Sequence, residues 1–167
     1  MQTHPDARLL IVSQAPGSKV HETGIPFNDR SGDRLRDWLG IDKDVFHDPQ
    51  GVAIVPVGFC YPGKGRSGDL PPRPECAPLW YPRLLPRLQH VELTLAIGSY
   101  AIRAMLGSKR KSDLTATCMA WREYFDASVL PMPHPSPRNI AWFQRHPWFE
   151  AEVLPALRQR VHRLLRA

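Results

Sequence analysis

Short, nearly continuous runs of apolar residues recur along the chain and predict buried β-strands. Each run is bounded by turn-forming residues and is too short for a helix of ordinary length. The predicted strands cover residues 8–13, 52–59, 92–97 and 128–132. Pro56 lies inside the second run and indicates a bulge or an edge strand there. Strands that are apolar on both faces are typical of a mainly parallel sheet covered by helices on both sides.

Apolar residues at helical spacing occupy the stretches between these strands. Helices are predicted over residues 31–38, 79–88, 100–106 and 147–164. Ser31 is expected to cap the first of them, and Pro147 is expected to open the last. This alternation predicts an α/β fold, a three-layer αβα sandwich around a mainly parallel sheet of about four strands. We expect residues 1–167 to form a single domain.

Three segments rich in proline, glycine and charged residues leave the carboxyl ends of the predicted strands. These segments are residues 14–30, 58–76 and 133–139, in a chain that has 18 prolines and 11 glycines. In open parallel sheets, ligands bind in the crevice beyond the carboxyl ends of the strands. We therefore expect the three segments to converge on one site at this edge of the sheet.

The net charge of the chain is +6, and arginine supplies much of the excess. Several arginines lie near the C-terminus: Arg138, Arg145, Arg158, Arg160, Arg163 and Arg166. Guanidinium groups bind phosphates well, which favours a DNA or RNA partner, although a solvated helix face has the same pattern. The apolar fraction of 43% excludes a disordered chain. Without a signal peptide or an apolar run of about 20 residues, we expect a cytoplasmic monomer with no membrane contact.

The first loop, residues 13–32, carries an aromatic ring and a carboxylate suited to a nucleotide. Phe27 follows Pro26 in a glycine-flanked loop and can present a flat face to a base. Asp29 lies near a predicted helix N-terminus, where the helix dipole keeps it ionised. An ionised carboxylate can orient a water molecule or offset a sugar cation. Phe27 can equally be a core residue and Asp29 a turn or cap residue, and both readings stay open.

The last loop, residues 133–139, is rigid because proline occupies three of its positions. Rigidity suits a histidine that must keep one orientation, and a neutral His134 that donates one hydrogen bond can stabilise an anionic leaving group. Arg138, at the tip of the loop, can reach into a duplex. In the middle segment, Lys64 and Arg66 can contact phosphates, but a mobile, merely soluble loop fits that segment as well.

Two sequence motifs in these loops carry a resemblance to a known family. The first combines Ser13-Gln14-Ala15-Pro16-Gly17 with Gly24-Ile25-Pro26-Phe27, and the second is His134-Pro135-Ser136. Together they resemble the motifs of the uracil-DNA glycosylase superfamily, and the resemblance covers nearly the whole chain. The nearest branches are the bacterial and archaeal families four and five, and the stretch from Asp29 to Gly32 is similar to family five.

The resemblance implies a DNA glycosylase that hydrolyses the N-glycosidic bond of uracil or a related damaged base and leaves an abasic site. It implies that His134 donates a hydrogen bond to the uracil O2, that Asp29 supplies the carboxylate, and that Gln14 positions water. The implied base pocket consists of Phe27, Ala15 and Gly58. The implied DNA contacts are Gly17, Ser136, Pro137, Lys64 and Arg66, with Arg138 as the wedge that replaces the flipped nucleotide.

Three departures from the family pattern refine this expectation. Many members carry Asp, Asn or Glu in the first turn, where this chain has Gln14 and Ala15, and many read uracil with an Asn that the second strand here lacks. Families four and five hold an iron–sulfur cluster on four cysteines, whereas this chain has three. We therefore expect no metal ion and no cofactor. Two alternatives stay open: a non-catalytic nucleic-acid-binding module, and a glycosylase for another base such as hypoxanthine.

Overall fold

A central parallel sheet organises the fold in the computed structural model, which describes residues 1–166. The strands are β1 Leu9–Val12, β2 Val52–Ile54, β3 Lys64–Gly65, β4 Gly68–Asp69, β5 Leu93–Ile97 and β6 Val129–Met132. Strands β1, β2, β5 and β6 form the sheet in the order β2-β1-β5-β6, and all neighbouring pairs are parallel. Strands β3 and β4 form a separate antiparallel hairpin.

Helices connect the strands and cover both faces of the sheet. The α-helices are α1 Ser18–Thr23, α2 Arg30–Leu39, α3 Lys43–Phe46, α4 Cys76–Leu84, α5 Gly98–Leu106, α6 Leu114–Met119, α7 Trp121–Asp126, α8 Ile140–Arg145 and α9 Leu154–Leu165. Within residues 1–166, none of them is long and apolar enough to cross a membrane. The α/β class and the three-layer architecture around a four-stranded parallel sheet confirm the fold predicted from the sequence.

The core divides into two clusters because successive strand residues point to opposite faces of the sheet. On β1, Leu9 and Ile11 are buried in one cluster and Leu10 and Val12 in the other. Helices α2 and α9 pack in the first cluster, and α4, α5 and α6 contribute to the second. Burial on both faces explains why the strands are nearly continuous apolar runs in the sequence.

The second strand is shorter than the predicted range of residues 52–59. It ends at Ile54, although the Val55 N–H still donates to the Ile11 carbonyl of β1 at 2.9 Å. The chain still follows β1 beyond this point, where Val57 donates its backbone N–H to the Ser13 carbonyl at 2.8 Å. Strand β2 is an edge strand of the sheet, which is one of the two outcomes that Pro56 indicated.

The predicted cap of α2 is wrong. The residue that caps this helix is Asp29, whose carboxylate accepts the Gly32 N–H at 2.9 Å, whereas Ser31 is a buried residue of the first turn. The start of the last helix also differs from the prediction, because a π-helical turn at Phe149–Val153 precedes α9. The segment 58–76, predicted as an irregular loop, contains the β3–β4 hairpin.

Two of the C-terminal arginines bind the protein's own backbone. Arg158 donates to the Asp37 carbonyl at 2.9 Å and caps the C-terminal end of α2. Arg160 donates to the Phe125 carbonyl and to the Ser128 hydroxyl, both at 2.8 Å. Their guanidinium groups satisfy carbonyls at helix ends, so these two arginines stabilise the fold.

Candidate active site

A cavity of about 430 Å³ lies at the carboxyl edge of the sheet, where the three predicted loops meet. The turn after β1, the loop before α2, the β3–β4 hairpin and the loop after β6 all contribute to its wall. Its lining includes Gln14, Ala15, Gly17, Phe27, Asp29, Asp69, His134, Ser136 and Arg138. The fold therefore brings together side chains from distant parts of the sequence at the edge where ligands of such sheets bind.

Phe27 is fixed by its surroundings in an uncommon backbone conformation. Its φ angle is 53°, in the left-handed region that residues other than glycine rarely adopt. The residue is 9% exposed, and its ring packs edge-on against Phe46, with the ring centroids 5.9 Å apart. Its carbonyl accepts a hydrogen bond from Arg36 at 3.3 Å and lies directly against Gly32. Phe27 is therefore a core residue that also forms part of the cavity wall.

Asp29 has two environments at once. One carboxylate oxygen accepts the Gly32 N–H at the N-terminus of α2, where the positive end of the helix dipole favours a negative charge. The same side chain lines the cavity. The cap uses only one hydrogen bond of the carboxylate, which can accept several. Asp29 can therefore also bind a water molecule or stabilise a developing cation while it caps the helix.

His134 is held as a neutral imidazole with one definite tautomer. The backbone N–H of Ser136 donates to Nδ1 at 3.1 Å, so Nδ1 is unprotonated and the ring proton resides on Nε2. Burial lowers the pKa of His134, and the nearby carboxylate of Asp29 opposes this effect only in part. The ring therefore lines the cavity as a hydrogen-bond donor that carries no charge at neutral pH.

The loop that carries His134 is braced by two side chains. Asn139 donates from its amide to the His134 carbonyl at 2.8 Å. Arg34 of α2 donates to the carbonyls of Pro135 and Ser136 at 3.3 and 3.4 Å. Helix α2 therefore links the two halves of the cavity, because Asp29 caps its N-terminus and Arg34 holds the His134 loop.

A comparison with protein families agrees with this arrangement. The family model of the uracil DNA glycosylase superfamily matches residues 1–158 of the chain. The chain belongs to the uracil DNA glycosylase superfamily. Membership indicates, at the general level, a glycosylase-type hydrolase, and this family acts on DNA. The matched range contains both motifs and all of the cavity lining.

Of the predicted base-pocket and water-positioning residues, Gln14 and Ala15 line the cavity, whereas Gly58 does not. Gly58 is buried behind Ala15, and its N–H donates to the Gln14 carbonyl at 2.9 Å. A β-carbon at Gly58 would lie 3.5 Å from that of Ala15 and only 2.7 Å from that of Pro72. Gly58 therefore allows the segment after β2 to pack closely against the first turn, and it supports the cavity from outside.

The residues expected to contact DNA fall into two groups. Gly17, Ser136 and Arg138 line the cavity, whereas Lys64 and Arg66 are exposed on the hairpin beside it. Pro137 is exposed and begins the 3₁₀ turn of Pro137–Asn139. Arg138 donates to the Ser67 carbonyl at 3.4 Å and its guanidinium lies against Gly68. The loop after β6 and the hairpin therefore meet at the cavity mouth.

Sequence reasoning missed the contribution of the hairpin to the cavity wall. Ser67, Gly68, Asp69 and Leu70 all line the cavity, and Asp69 brings a second carboxylate to it. The glycines at positions 63, 65 and 68 are the signal that was available, since glycine-rich connections often close two-stranded ribbons. The strands themselves are too short to produce an alternating pattern.

The four-cysteine iron–sulfur cluster of families four and five does not fit the cysteines of this chain. Cys118 is buried in the apolar core, and burial raises the pKa of its thiol to about 12, so it is unsuited to act as a thiolate ligand. Cys60 is exposed and Cys76 is half-buried, which leaves two of the four ligands that a cluster needs. Within residues 1–166, no three His, Cys, Asp or Glu side chains converge as a metal site requires.

Proposed function

We propose that the protein hydrolyses the N-glycosidic bond of uracil or a related damaged base in DNA and leaves an abasic site. The observation that carries this proposal is His134, a half-buried neutral donor whose Nε2–H lines the same cavity as Asp29. Such a pair suits a reaction in which negative charge develops on a leaving base and positive charge on a sugar. We further propose that the protein acts in the cytoplasm, as a monomer, without a metal ion or cofactor.

The proposed reaction separates charge across the cavity. The flipped base rests on Phe27, the bond between the base nitrogen and C1′ breaks, and the bonding electrons stay on the base. His134 donates from Nε2 to the base oxygen on which the negative charge builds. The carboxylate of Asp29 offsets the oxocarbenium character at C1′. A water molecule adds to C1′ and releases a proton, while the base anion takes a proton from solvent.

The chain offers two candidates for positioning this water molecule, Asp29 and Gln14. We expect Asp29→Asn to slow single-turnover base release about 10- to 100-fold, because it removes a charge but keeps a side chain that caps α2. Gln14→Ala should stay within several-fold of the wild type. Rates should be measured on duplexes with a single damaged base, followed by alkaline cleavage of abasic sites. A silent Asp29→Asn beside a severe Gln14→Ala would instead assign the water to Gln14.

Binding to DNA is expected to weaken steeply with salt. Lys64 and Arg66 are exposed beside the cavity mouth, and each released counterion adds to the salt dependence of the affinity. Lys64→Gln and Arg66→Gln should each reduce the slope of log affinity against log salt by about one. Arg163→Gln is the matched control, because Arg163 is an exposed cation on α9 outside the cavity lining. Affinity that does not change with salt would contradict a DNA-backbone role.

Two absences favour a second candidate: the first turn has Gln14 and Ala15 but no carboxylate, and the second strand has no Asn. The alternatives are a non-catalytic nucleic-acid-binding module and a glycosylase for another base, such as hypoxanthine. A panel of duplexes that contain uracil, hypoxanthine, xanthine or a modified pyrimidine separates them. Binding without cleavage of any of these bases would support the module, and cleavage of hypoxanthine alone would support the second.

A further inference from the structure

Helix α4 carries an exposed aromatic ring on its surface. Trp80 keeps 43% of its surface exposed, and Leu79, the residue before it, keeps 51%. Scattered exposed aliphatic side chains are ordinary in proteins, so Leu79 alone needs no explanation. Tryptophan, by contrast, is enriched at binding interfaces, because its ring offers a large apolar face. The exposed ring of Trp80 is therefore a candidate contact for a ligand outside the cavity.

The surroundings of the Trp80 ring suit a second flat group. The ring of Phe59 stacks with that of Trp80, with the centroids 6.3 Å apart and an angle of 29° between the planes. The guanidinium group of Arg83 lies over the Trp80 ring, 5.8 Å from its centroid. In the part of the chain that the structure describes, this guanidinium makes no hydrogen bond or ion pair. Arg83 can therefore turn from the ring to a phosphate and leave the ring face to a base.

The charges around this ring favour a nucleic acid strand over an apolar protein segment. Residues 76–87 contain no Asp or Glu, and Arg83 and Arg87 are both exposed there. The acidic residue just before them, Glu75, is paired with Arg73 at 3.7 Å. An apolar segment gains nothing from the two free cations, whereas a nucleic acid strand supplies a flat base and phosphates together. Aromatic rings flanked by arginines are the usual means of binding single-stranded nucleic acid.

The aromatic pair is continuous with the wall of the cavity. Phe59 directly follows Gly58, where a β-carbon would lie 3.5 Å from that of Ala15, which lines the cavity. A strand whose target base enters the cavity can therefore lay a neighbouring base on Trp80. That base must be unpaired, because the neighbouring bases of a duplex are already stacked and paired inside the helix.

We propose that Trp80 is a stacking platform for an unpaired base that neighbours the target base on the same DNA strand. The platform adds affinity for single-stranded DNA and none for duplex DNA. It tolerates any base, because every base has a π face. The position of the target base in the cavity rests on the proposed function, but stacking on Trp80 can be measured without cleavage.

Binding of single-stranded DNA tests the platform without any chemistry. The probes are a fluorescently labelled oligothymidylate and a labelled duplex of the same length. Trp80→Ala should weaken binding of the oligothymidylate about 5- to 100-fold, as expected for the loss of one stacked base, and should change duplex affinity less than about threefold. Trp80→Phe keeps a ring and should recover most of the loss. Arg83→Gln should reduce the slope of log affinity against log salt for the oligothymidylate by about 0.7.

Leu79→Ala is the matched control for Trp80→Ala. It removes an exposed apolar side chain from the same turn of α4 and leaves the ring in place. Its affinities for both probes should equal those of the wild type. A loss in Leu79→Ala as large as that in Trp80→Ala would contradict stacking and indicate a general apolar surface that docks a protein. Thermal unfolding of each variant checks that the fold is intact.

An abasic scan locates the stacked nucleotide. Single-stranded oligonucleotides carry one uracil, and one neighbouring nucleotide at a time, on either side, is replaced by a stable abasic analogue that keeps the phosphate. At the stacked position, this replacement should reduce the affinity of the wild type as much as Trp80→Ala does. In Trp80→Ala, the same replacement should have no further effect, because the ring on which the base stacks is already gone.

The outcomes separate this inference from the proposed function. Equal losses on the single strand and the duplex in Trp80→Ala, or abasic replacements that act alike in both proteins, would overturn the platform. Uracil release by a protein whose single-strand affinity does not depend on Trp80 would refute the platform and leave the proposed function standing. Single-strand binding that depends on Trp80, in a protein that releases no base, would support the platform and refute the proposed function.

Discussion

Replacement of His134 by alanine is expected to slow single-turnover base release about 10²- to 10³-fold and to leave DNA affinity within a few-fold of the wild type. Removing one preorganised donor to a developing anion has effects of this size. The donor here is preorganised because Ser136 N–H occupies Nδ1 and thereby places the ring proton on Nε2. Chemistry should suffer more than binding, because the hydrogen bond strengthens only as charge accumulates on the departing base.

Two measurements separate catalysis by His134 from a structural role. DNA affinity should be measured by titration with the same damaged duplex, and a loss of affinity as large as the loss of rate would contradict the assignment. Asn139→Ala provides a graded comparison, because it removes the bond to the His134 carbonyl and keeps the ring. It should cost less than His134→Ala. A rate equal to that of the wild type in both variants would place the chemistry elsewhere.

The pH dependence of stability offers an independent check on the neutral state of His134. Burial lowers the pKa of His134 in the folded protein, so the unfolded chain takes up the proton first as the pH falls. The free energy of unfolding should therefore decrease below the ordinary histidine pKa of about 6.5, and it should recover as the pH rises above that value. His134→Ala should remove this part of the pH dependence. Denaturant titrations of both proteins between acidic and neutral pH measure it.

The sheet could be predicted from the sequence because its strands are buried on both faces. Strands β1, β5 and β6 lie within the predicted runs, and Thr94 of β5 is the one polar residue in these three strands. The end of β2 was harder to predict, because Val57 belongs to the same apolar run and still bonds the Ser13 carbonyl, although the strand itself ends at Ile54. The hydrophobic pattern therefore predicts where the strands lie, but it does not predict where β2 ends.

The details of the cavity depend on contacts that no sequence pattern encodes. The carboxylate of Asp29 competes with the hydroxyl of Ser31 for the same cap, and the local sequence permits either. Arg34 meets the His134 loop across a long sequence separation, and Arg158 similarly reaches the end of α2. The resemblance to the superfamily motifs identified His134 as a candidate site residue. The tautomer of its ring, however, follows only from the position of the Ser136 N–H in the structure.

Gly32→Ala is expected to damage the fold and the activity together, although alanine is the better helix former. Gly32 lies in the first turn of α2, where helix propensity alone would make alanine about 1 kcal/mol more stable. A β-carbon at this position, however, would overlap the Phe27 carbonyl oxygen and lie 2.7 Å from the carbonyl carbon and 2.9 Å from the Phe27 β-carbon. Backbone atoms cannot rotate away, so the clash outweighs propensity, and we expect a net loss of about 1–3 kcal/mol in the free energy of unfolding.

The effect on activity should follow from the same clash, because Gly32 contacts two residues that line the cavity. Its N–H binds Asp29, and its α-carbon faces Phe27, which is already held at a φ of 53°. Displacing these two side chains by about 1 Å should slow base release by about 10²-fold or more, even in the folded fraction.

Gly17→Ala is the control for stability, since a β-carbon there makes only an ordinary contact at 3.9 Å. Denaturant unfolding and single-turnover rates measure the two effects. If Gly32→Ala had the stability and the rate of the wild type, the backbone at Phe27 would be able to move without cost, and its position would not be required for base release.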